Sequence, residues 1–287
     1  MSEAETFKAN PFVRLSEAEN EGIYELCISD GDTGQIGTAS IIRFITTYAT
    51  RLKTAKNLVH ASDILTSFRD VRPGLGSDGN IFHAAVQNSF HGAAIIKMVA
   101  QLVLATEQGR HFLDELLRHT DYQGRTPFVA AIARSPPVPA NMLQAFIDIA
   151  RSTALPAASD ETYDNAGNAA IHLAMLNKDT NSLAWLYAKG YPFTLRTKPF
   201  EFSEFLNPSV LGPERETVAY LGVRVKNYAG LAFLLARRKD DNNIKALFDM
   251  RVTHEGVSLT PEELAMQLWA MEPAKIRTFF KSGKLVG

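Results

Sequence analysis

Residues 164–190 constrain the fold of this chain more than any other segment, because they encode one turn followed by two short antiparallel helices. Gly167 and Asn168 form the turn, and the small and apolar residues that follow predict the first helix. A polar break at 177–180 separates it from a second helix, which stops at Gly190. Two such helices cannot bury their apolar faces alone, so we expect further units of this kind to stack on them.

Length and charge are consistent with a repeated fold. At 287 residues the chain is long for a single hydrophobic core. Its 30 basic and 31 acidic side chains give a net charge of −1, which argues against a nucleic-acid-binding or membrane-surface protein. Cys27 is the only cysteine, so there is no intrachain disulfide. With no secretory-signal pattern and no long apolar run, we predict a cytoplasmic monomer without a membrane span.

The rest of the chain divides into an N-terminal segment and further copies of the unit. Residues 1–72 predict a helical N-terminal cap, with short helices at 16–28, from residue 40, and at 57–71. Residues 73–287 predict about five repeat units. The first helix of the first unit opens within Asp78–Ala85, and those of the others begin near Pro127, Ala169, Glu216 and Pro261. Thr126-Pro127 and Thr260-Pro261 each place an N-cap threonine before a proline at the first helical position.

Residues 75–285 resemble the ankyrin-repeat family. That family has a turn with Asp and Gly, then Thr-Pro-Leu-His-x-Ala, then a second Leu-rich helix that ends at Gly. The segment from Gly167 to Gly190 matches along its whole length, and Gly124 to Phe128 matches the first half with Val129 in place of His. Asp78 to Ala85 matches with Asp78 in place of the glycine, and the last two units match loosely. The resemblance implies an all-α, ankyrin-like helical repeat solenoid.

The spacing of the units departs from the family pattern. The positions equivalent to the family histidine are 43 to 48 residues apart, namely His83, Val129, His172, Tyr220 and Glu263. The usual ankyrin period is about 33 residues, and HEAT-like repeats run to about 40–47. We attribute the excess to lengthened second helices and to inserted segments at 107–119 and 195–215. Another type of helical solenoid is the alternative.

No motif in the sequence predicts catalysis, a metal site or a cofactor. Gly74 to Gly79 spells G-x-G-x-x-G, but a charged segment and Pro73 precede it where a dinucleotide site needs a strand. His83 and His172 occupy the same repeat position, where we expect each imidazole to bond backbone groups of the adjoining turn. No second cysteine or paired histidine supports a metal site, and His254-Glu255 lacks the second histidine of a zinc protease.

The binding residues are predicted from the exposed parts of a repeat. Turn tips and first-helix ends are not needed to form the core, so polar and aromatic residues there are candidates for partner contacts. Tyrosine and arginine are also the side chains most enriched at binding hot spots. The predicted partner-binding residues are Tyr122, Gln123, Arg125, Arg134, Tyr163, Asp164, Asn165, Asn177, Lys178, Arg224 and Lys226.

These features predict a non-catalytic scaffold that binds a partner protein through a concave groove. The resemblance to ankyrin proteins allows adaptors, inhibitors and pathogen effectors that enter a host cytoplasm, and the stretched repeats favour an effector. A different class of function places an enzymatic activity in residues 1–72, with the repeats as a targeting arm. A nucleic-acid-binding solenoid is a third alternative, which the near-zero net charge disfavours.

Overall fold

The structure is a computed structural model that describes residues 79–105, 109–153, 162–198 and 215–285. The described part is predominantly α-helical, as the sequence predicted. Its helices are α1 (Ile81–Val86), α2 (Gly92–Leu104), α3 (Gly109–Arg118), α4 (Pro127–Ala133), α5 (Ala140–Thr153), α6 (Ala170–Leu176), α7 (Thr180–Ala188), α8 (Val218–Arg224), α9 (Tyr228–Arg237), α10 (Asn242–Asp249), α11 (Pro261–Leu268) and α12 (Pro273–Ser282). Its strands are β1 (Val252–His254) and β2 (Val257–Leu259).

Several sequence predictions fall on other parts of the chain. The helical cap at 1–72, Cys27 and nearly all of the Gly74–Gly79 motif lie outside the described residues. So does most of the inserted segment at 195–215, of which only the two ends are described.

The five predicted units share one helical register. His83, Val129, His172, Tyr220 and Glu263 are each the third residue of their helix, in α1, α4, α6, α8 and α11 respectively. The residues aligned in the sequence therefore occupy the same position in their helices. The predicted N-caps are also correct, since the Thr260 side chain accepts from the Glu263 N–H at 3.3 Å while the Glu263 carboxylate accepts from the Thr260 N–H at 2.8 Å.

The described residues form two compact units. The first contains residues 79–105, 109–131 and 141–153. In it, α1 packs on α2 and α2 on α3. Phe146 from α5 stands at the centre of the core, with the rings of Phe82 and Phe128 each edge-on to it at 6.1 Å. All three phenylalanines are fully buried, so aromatic packing connects three helices of this unit.

The second unit contains residues 132–140, 162–198 and 215–285, and its helices form two layers. The first helices pack in the order α6, α8, α11, and the second helices in the order α7, α9, α12. Within each pair the two helices also pack on each other. Leu183, Leu186, Leu231 and Leu234 are fully buried in the second layer. Successive helix pairs therefore stack with like helices adjacent.

One hairpin was not predicted from the sequence. Strands β1 and β2 pair antiparallel, with His254 opposite Val257 and a two-residue turn of Glu255 and Gly256 between them. Both turn residues have positive φ, 48° and 80°, as a type I′ turn requires. The signal for this hairpin was Glu255-Gly256 with the β-branched residues Val252, Thr253 and Val257 on either side, although Asn-Gly and Asp-Gly are stronger turn signals. Helix α10, between α9 and the hairpin, was also missed.

Side-chain donors in the second unit bond the carbonyls at the ends of preceding helices. Asn227 donates from Nδ2 to the Met175 carbonyl at 2.9 Å, and Trp269 donates from Nε1 to the Val223 carbonyl at 3.0 Å. Asn177 donates in the same way to the Ala133 carbonyl at 2.8 Å. Carbonyls at a helix C-terminus have no partner within the helix. Each of these donors therefore adds a hydrogen bond to a preceding helix end, beside the Lys178 and Lys226 N–H groups that reach Met175 and Val223 at 3.2 Å.

Replacing Asn227 with alanine should lower the free energy of unfolding of the second unit by about 3 kcal/mol. Asn227 is 2% exposed, and its side chain also caps α9 by accepting from the Gly230 N–H at 2.9 Å. The substitution removes that cap and the buried 2.9 Å bond, so the Met175 carbonyl keeps only backbone donors such as the Lys178 N–H at 3.2 Å. Urea unfolding followed by tryptophan fluorescence measures this unit, because both tryptophans, Trp185 and Trp269, lie in it.

The matched control is Asn181→Ala, at an exposed position of α7. It should change the stability by less than about 0.5 kcal/mol. Equal effects of the two substitutions would contradict the connecting role of Asn227.

Candidate binding surfaces

The turn before α4 presents Tyr122 from a tightly hydrogen-bonded loop. The Asp121 carboxylate accepts from the backbone N–H groups of Gln123 and Arg125, each at 2.9 Å. The Asp121 N–H donates to the Arg125 carbonyl at 2.9 Å, and Gly124 closes the turn with φ +72°. Tyr122 is 56% exposed, whereas Gln123 and Arg125 are half-buried and bonded to each other through their side chains. Tyr122 is thus the most accessible of the three predicted residues.

The turn before α6, in the second unit, has the same internal hydrogen bonds. The Asp164 carboxylate accepts from the Asn168 N–H at 2.7 Å, and the Asp164 N–H donates to the Asn168 carbonyl at 2.9 Å. Gly167 closes this turn with φ +77°. Asp164 was predicted to contact a partner, but it is 6% exposed and its carboxylate binds its own turn. Asn165 is half-buried at the tip.

Backbone contacts attach this turn to the segment that leads toward the next helix pair. The Lys198 N–H donates to the Gly167 carbonyl at 2.8 Å, and the Thr197 N–H donates to the Glu216 carbonyl at 2.9 Å. The Lys198 ammonium also lies 4.1 Å from the centre of the Tyr163 ring. Tyr163, another predicted contact, is therefore half-covered by a lysine of its own unit.

The two histidines at the third helical position join their turns to the following turns. Each Nδ1 accepts from the N-cap backbone N–H, at 3.1 Å for His83 with Asn80 and at 3.0 Å for His172 with Ala169. Each Nε2 donates to a later carbonyl, at 2.8 Å to Arg125 and at 3.1 Å to Leu195. This geometry requires the neutral ring with its proton on Nε2. The predicted structural role of both histidines is confirmed.

Burial stabilises the neutral form of both rings. Desolvation lowers the pKa of His172 from 6.5 to about 4, only partly opposed by the bond to the Leu195 carbonyl. Desolvation likewise lowers the pKa of His83 to about 4, opposed by the bond to the Arg125 carbonyl and by the Asp121 carboxylate. Neither ring is positioned as an accessible general base or metal ligand.

The opposite ends of the first helices carry lysines in an unfavourable backbone conformation. Lys178 follows α6 with φ +57°, and Lys226 follows α8 with φ +51°. Both side chains are exposed, and neither forms an ion pair with any residue that the structure describes. The left-handed region disfavours residues with a Cβ, so each lysine lowers the stability of its turn. Asn177 is also exposed here, with its amide bonded to the Ala133 carbonyl.

Replacing Lys178 or Lys226 with glycine should stabilise the second unit, by about 1 kcal/mol for each substitution. Glycine adopts positive φ without the steric cost that a Cβ imposes. Urea unfolding monitored by tryptophan fluorescence provides the measurement. Lys189→Gly is the contrasting control, because Lys189 has φ −93° and the same substitution there should be destabilising. Destabilisation by all three substitutions would contradict the argument.

Arg224 is not available in the way that the sequence suggested. Its guanidinium lies 2.6 Å from the Glu216 carboxylate, whose side chain is only 5% exposed. Burial raises the pKa of Glu216, and the Arg224 charge acts in the opposite direction. Tyr220 lies in α8 between Glu216 and Arg224 in sequence, and burial raises the pKa of its phenol to about 12. Arg224 therefore compensates a buried carboxylate, and Tyr220 stays protonated at neutral pH.

The predicted binding residues of the second unit thus divide between two ends of the first helices. Tyr163, Asp164 and Asn165 precede α6, whereas Asn177 and Lys178 follow it. A seven-residue helix is about 10 Å long, so these groups do not form one cluster. Arg134 and Lys226 belong to the same end as Lys178, because each follows the last residues of a first helix.

Within the described ranges, no group of three or more His, Cys, Asp or Glu side chains is arranged to hold a metal ion. No described helix is both long and apolar enough to cross a membrane. No protein-family model matches the chain, and no curated protein sequence matches it either.

Proposed function

We propose that this chain is a non-catalytic scaffold that binds a partner protein through the turns of an ankyrin-like helical repeat. The observation that carries the proposal is the common register of the five first helices, each with the aligned residue at its third position. Repeated helix pairs of this kind bury one face against their neighbours and leave their turns exposed for contacts.

The roles of the polar residues support this proposal. The His172 ring, the Asp164 carboxylate and the Asn227 amide are buried and bonded within the fold. Tyr122, in contrast, extends from its turn with more than half of its surface exposed. Exposed tyrosines contribute large contact areas at protein interfaces for a small entropic cost. Tyr122 is therefore the first residue that we assign to partner contact.

Affinity capture with the full-length chain tests the proposal. The chain and a Tyr122→Ala variant would be immobilised and incubated with cell lysate, and the bound proteins quantified by mass spectrometry. We expect at least one protein to be captured by the wild type and reduced about tenfold by the variant, because loss of a hot-spot tyrosine costs more than about 1 kcal/mol. Circular dichroism would verify that the variant remains folded.

Phe90→Ala is the matched control for this capture. Phe90 is also an exposed aromatic residue of the first unit, at 74%, but it lies in the turn between α1 and α2. Its removal should leave the captured protein unchanged. A chain that captures no protein would overturn the scaffold proposal. The alternative of an activity in residues 1–72 concerns residues outside the described part of the chain.

A further inference from the structure

We infer that the second unit binds an acidic peptide segment of its partner along a row of cations formed by Arg134, Lys178 and Lys226. This inference rests on the scaffold function proposed above and specifies the chemistry of the partner. We refer to these three residues as the cationic row. Each follows the end of a first helix, namely α4, α6 and α8.

Hydrogen bonds between successive turns keep the cationic row in order. Asn177, which precedes Lys178, donates to the carbonyl of Ala133, which precedes Arg134. Asn227, which follows Lys226, donates to the carbonyl of Met175, three residues before Lys178. Both bonds lie within the second unit. The three cations therefore lie on successive turns, and side-chain hydrogen bonds hold these turns next to one another.

The charges around the row leave its lysines available. The nearest acidic neighbour in sequence, Asp179, is 4% exposed and caps α7 by accepting from the Ser182 N–H at 3.0 Å. Glu216, the other buried carboxylate of this region, is paired with Arg224. Lys178 and Lys226 are exposed and unpaired among the residues that the structure describes. Anionic groups of a partner would thus meet no competing carboxylate at these two positions.

The backbone adds an independent argument. Two successive turns each place a lysine at positive φ, where glycine would be more stable. A residue that lowers stability at two equivalent positions is consistent with a contribution other than folding. A glycine at either position would lack the lysine ammonium group, so we assign the contribution to that group.

The spacing of the row determines the peptide that fits it. Helices α6 and α8 pack on each other, and packed helices have axes about 8–10 Å apart. A peptide in the polyproline II conformation advances about 3.1 Å per residue with three residues per turn, so its residues i and i+3 face the same side. Acidic side chains three residues apart in the peptide would therefore meet Lys178 and Lys226. The predicted ligand is a segment in the polyproline II conformation with Glu or Asp at positions i and i+3.

Selection from a random 12-residue phage-displayed peptide library on the immobilised full chain tests this inference. We expect the enriched peptides to carry acidic residues with a three-residue period. The best peptide, labelled with fluorescein, would then be titrated and followed by anisotropy. The double variant Lys178→Gly/Lys226→Gly should bind it about tenfold more weakly, since each exposed ion pair contributes about 0.5–1 kcal/mol.

This variant separates binding from folding, because the same substitutions are expected to stabilise the unit. A second double variant, Lys239→Gln/Lys245→Gln, removes the same charge from exposed positions elsewhere in the unit and should bind as the wild type does. A fluorescein-labelled 12-nucleotide oligouridine, titrated in the same way, tests whether the cationic row binds nucleic acid instead of a peptide.

Four results would overturn the inference. Enriched peptides without acidic periodicity would show that the cationic row does not bind an acidic segment. Peptides that bind the wild type and the glycine double variant with equal affinity would show the same. Both results would leave the scaffold function in place. Binding of oligouridine that depends on the two lysines, without enrichment of acidic peptides, would assign the row to nucleic acid. Enrichment of no peptide would also count against the row, and the lysate capture would then decide the scaffold function separately.

Discussion

Replacing Gly167 with alanine is expected to lower the free energy of unfolding of the second unit by about 4 kcal/mol. Gly167 has φ +77°, and a Cβ added there would lie 1.9 Å from the Lys198 carbonyl oxygen. The backbone would therefore have to move away from Lys198, whose N–H donates to the Gly167 carbonyl at 2.8 Å. The substitution thus affects both the conformation of the turn and its attachment to the next segment.

Gly190→Ala provides the matched control. Gly190 has the same φ of +77°, but no atom lies within 4 Å of an added Cβ. Only the left-handed conformation is penalised there, at about 1 kcal/mol. Urea denaturation followed by tryptophan fluorescence gives both values, because Trp185 and Trp269 lie in the same unit as the two glycines. Equal destabilisation by the two substitutions would show that the contact with Lys198 contributes nothing.

Protonation of His172 on unfolding is expected to lower the free energy of unfolding of the second unit by about 2 kcal/mol between pH 7.5 and pH 5. The pKa of His172 is about 4 in the folded chain and 6.5 when the ring is exposed. Between these values the unfolded chain binds a proton that the folded chain does not. The contribution of His172 is therefore complete above about pH 6.5 and declines as the pH falls toward 4.

His172→Gln isolates this contribution. A glutamine at the third helical position can still accept from the Ala169 N–H, as in a capping box, but it does not titrate. The difference in unfolding free energy between wild type and variant, measured in urea from pH 7.5 to 5, should therefore narrow by about 2 kcal/mol. Glu216, whose pKa is raised by burial, acts in the opposite direction in both proteins and cancels in this difference.

The exposed residue His111 serves as the control position. Its side chain is 72% exposed, so His111→Gln makes the same substitution outside the core. A constant difference between wild type and His172→Gln at all pH values would contradict the assignment of the neutral, buried ring.

The local features of the chain could be predicted from the sequence because they depend on neighbouring residues. Thr260, Pro261 and Glu263 form the predicted capping box at the start of α11, and Gly283 ends α12 with φ +72° as expected for a C-terminal glycine. The equivalence of His83 and His172 followed from the repeated pattern alone. Glu255 and Gly256 were missed as a hairpin turn because Glu-Gly is a weaker signal than Asn-Gly.

The candidate surfaces were predicted less completely, since a residue type does not reveal what its side chain contacts. Asp164 and Arg224 are polar residues at plausible positions, yet one binds its own turn and the other neutralises Glu216. The amide of Asn177 bonds the preceding helix end. Lys178 and Lys226 were selected for their charge, while their left-handed backbone conformation is visible only in the structure.

The sequence by itself determined the described helices other than α10, the caps at Thr260 and Gly283, and the shared third position of the five first helices. These depend on hydrogen bonds and apolar spacing within about a dozen consecutive residues. Only the tertiary structure decided which polar side chains form hydrogen bonds within the fold. Asn227 and Trp269 reach carbonyls 52 and 46 residues away, and no local pattern specifies such a partner. The division of the predicted binding residues between two ends of the first helices has the same origin, because it depends on how successive pairs stack.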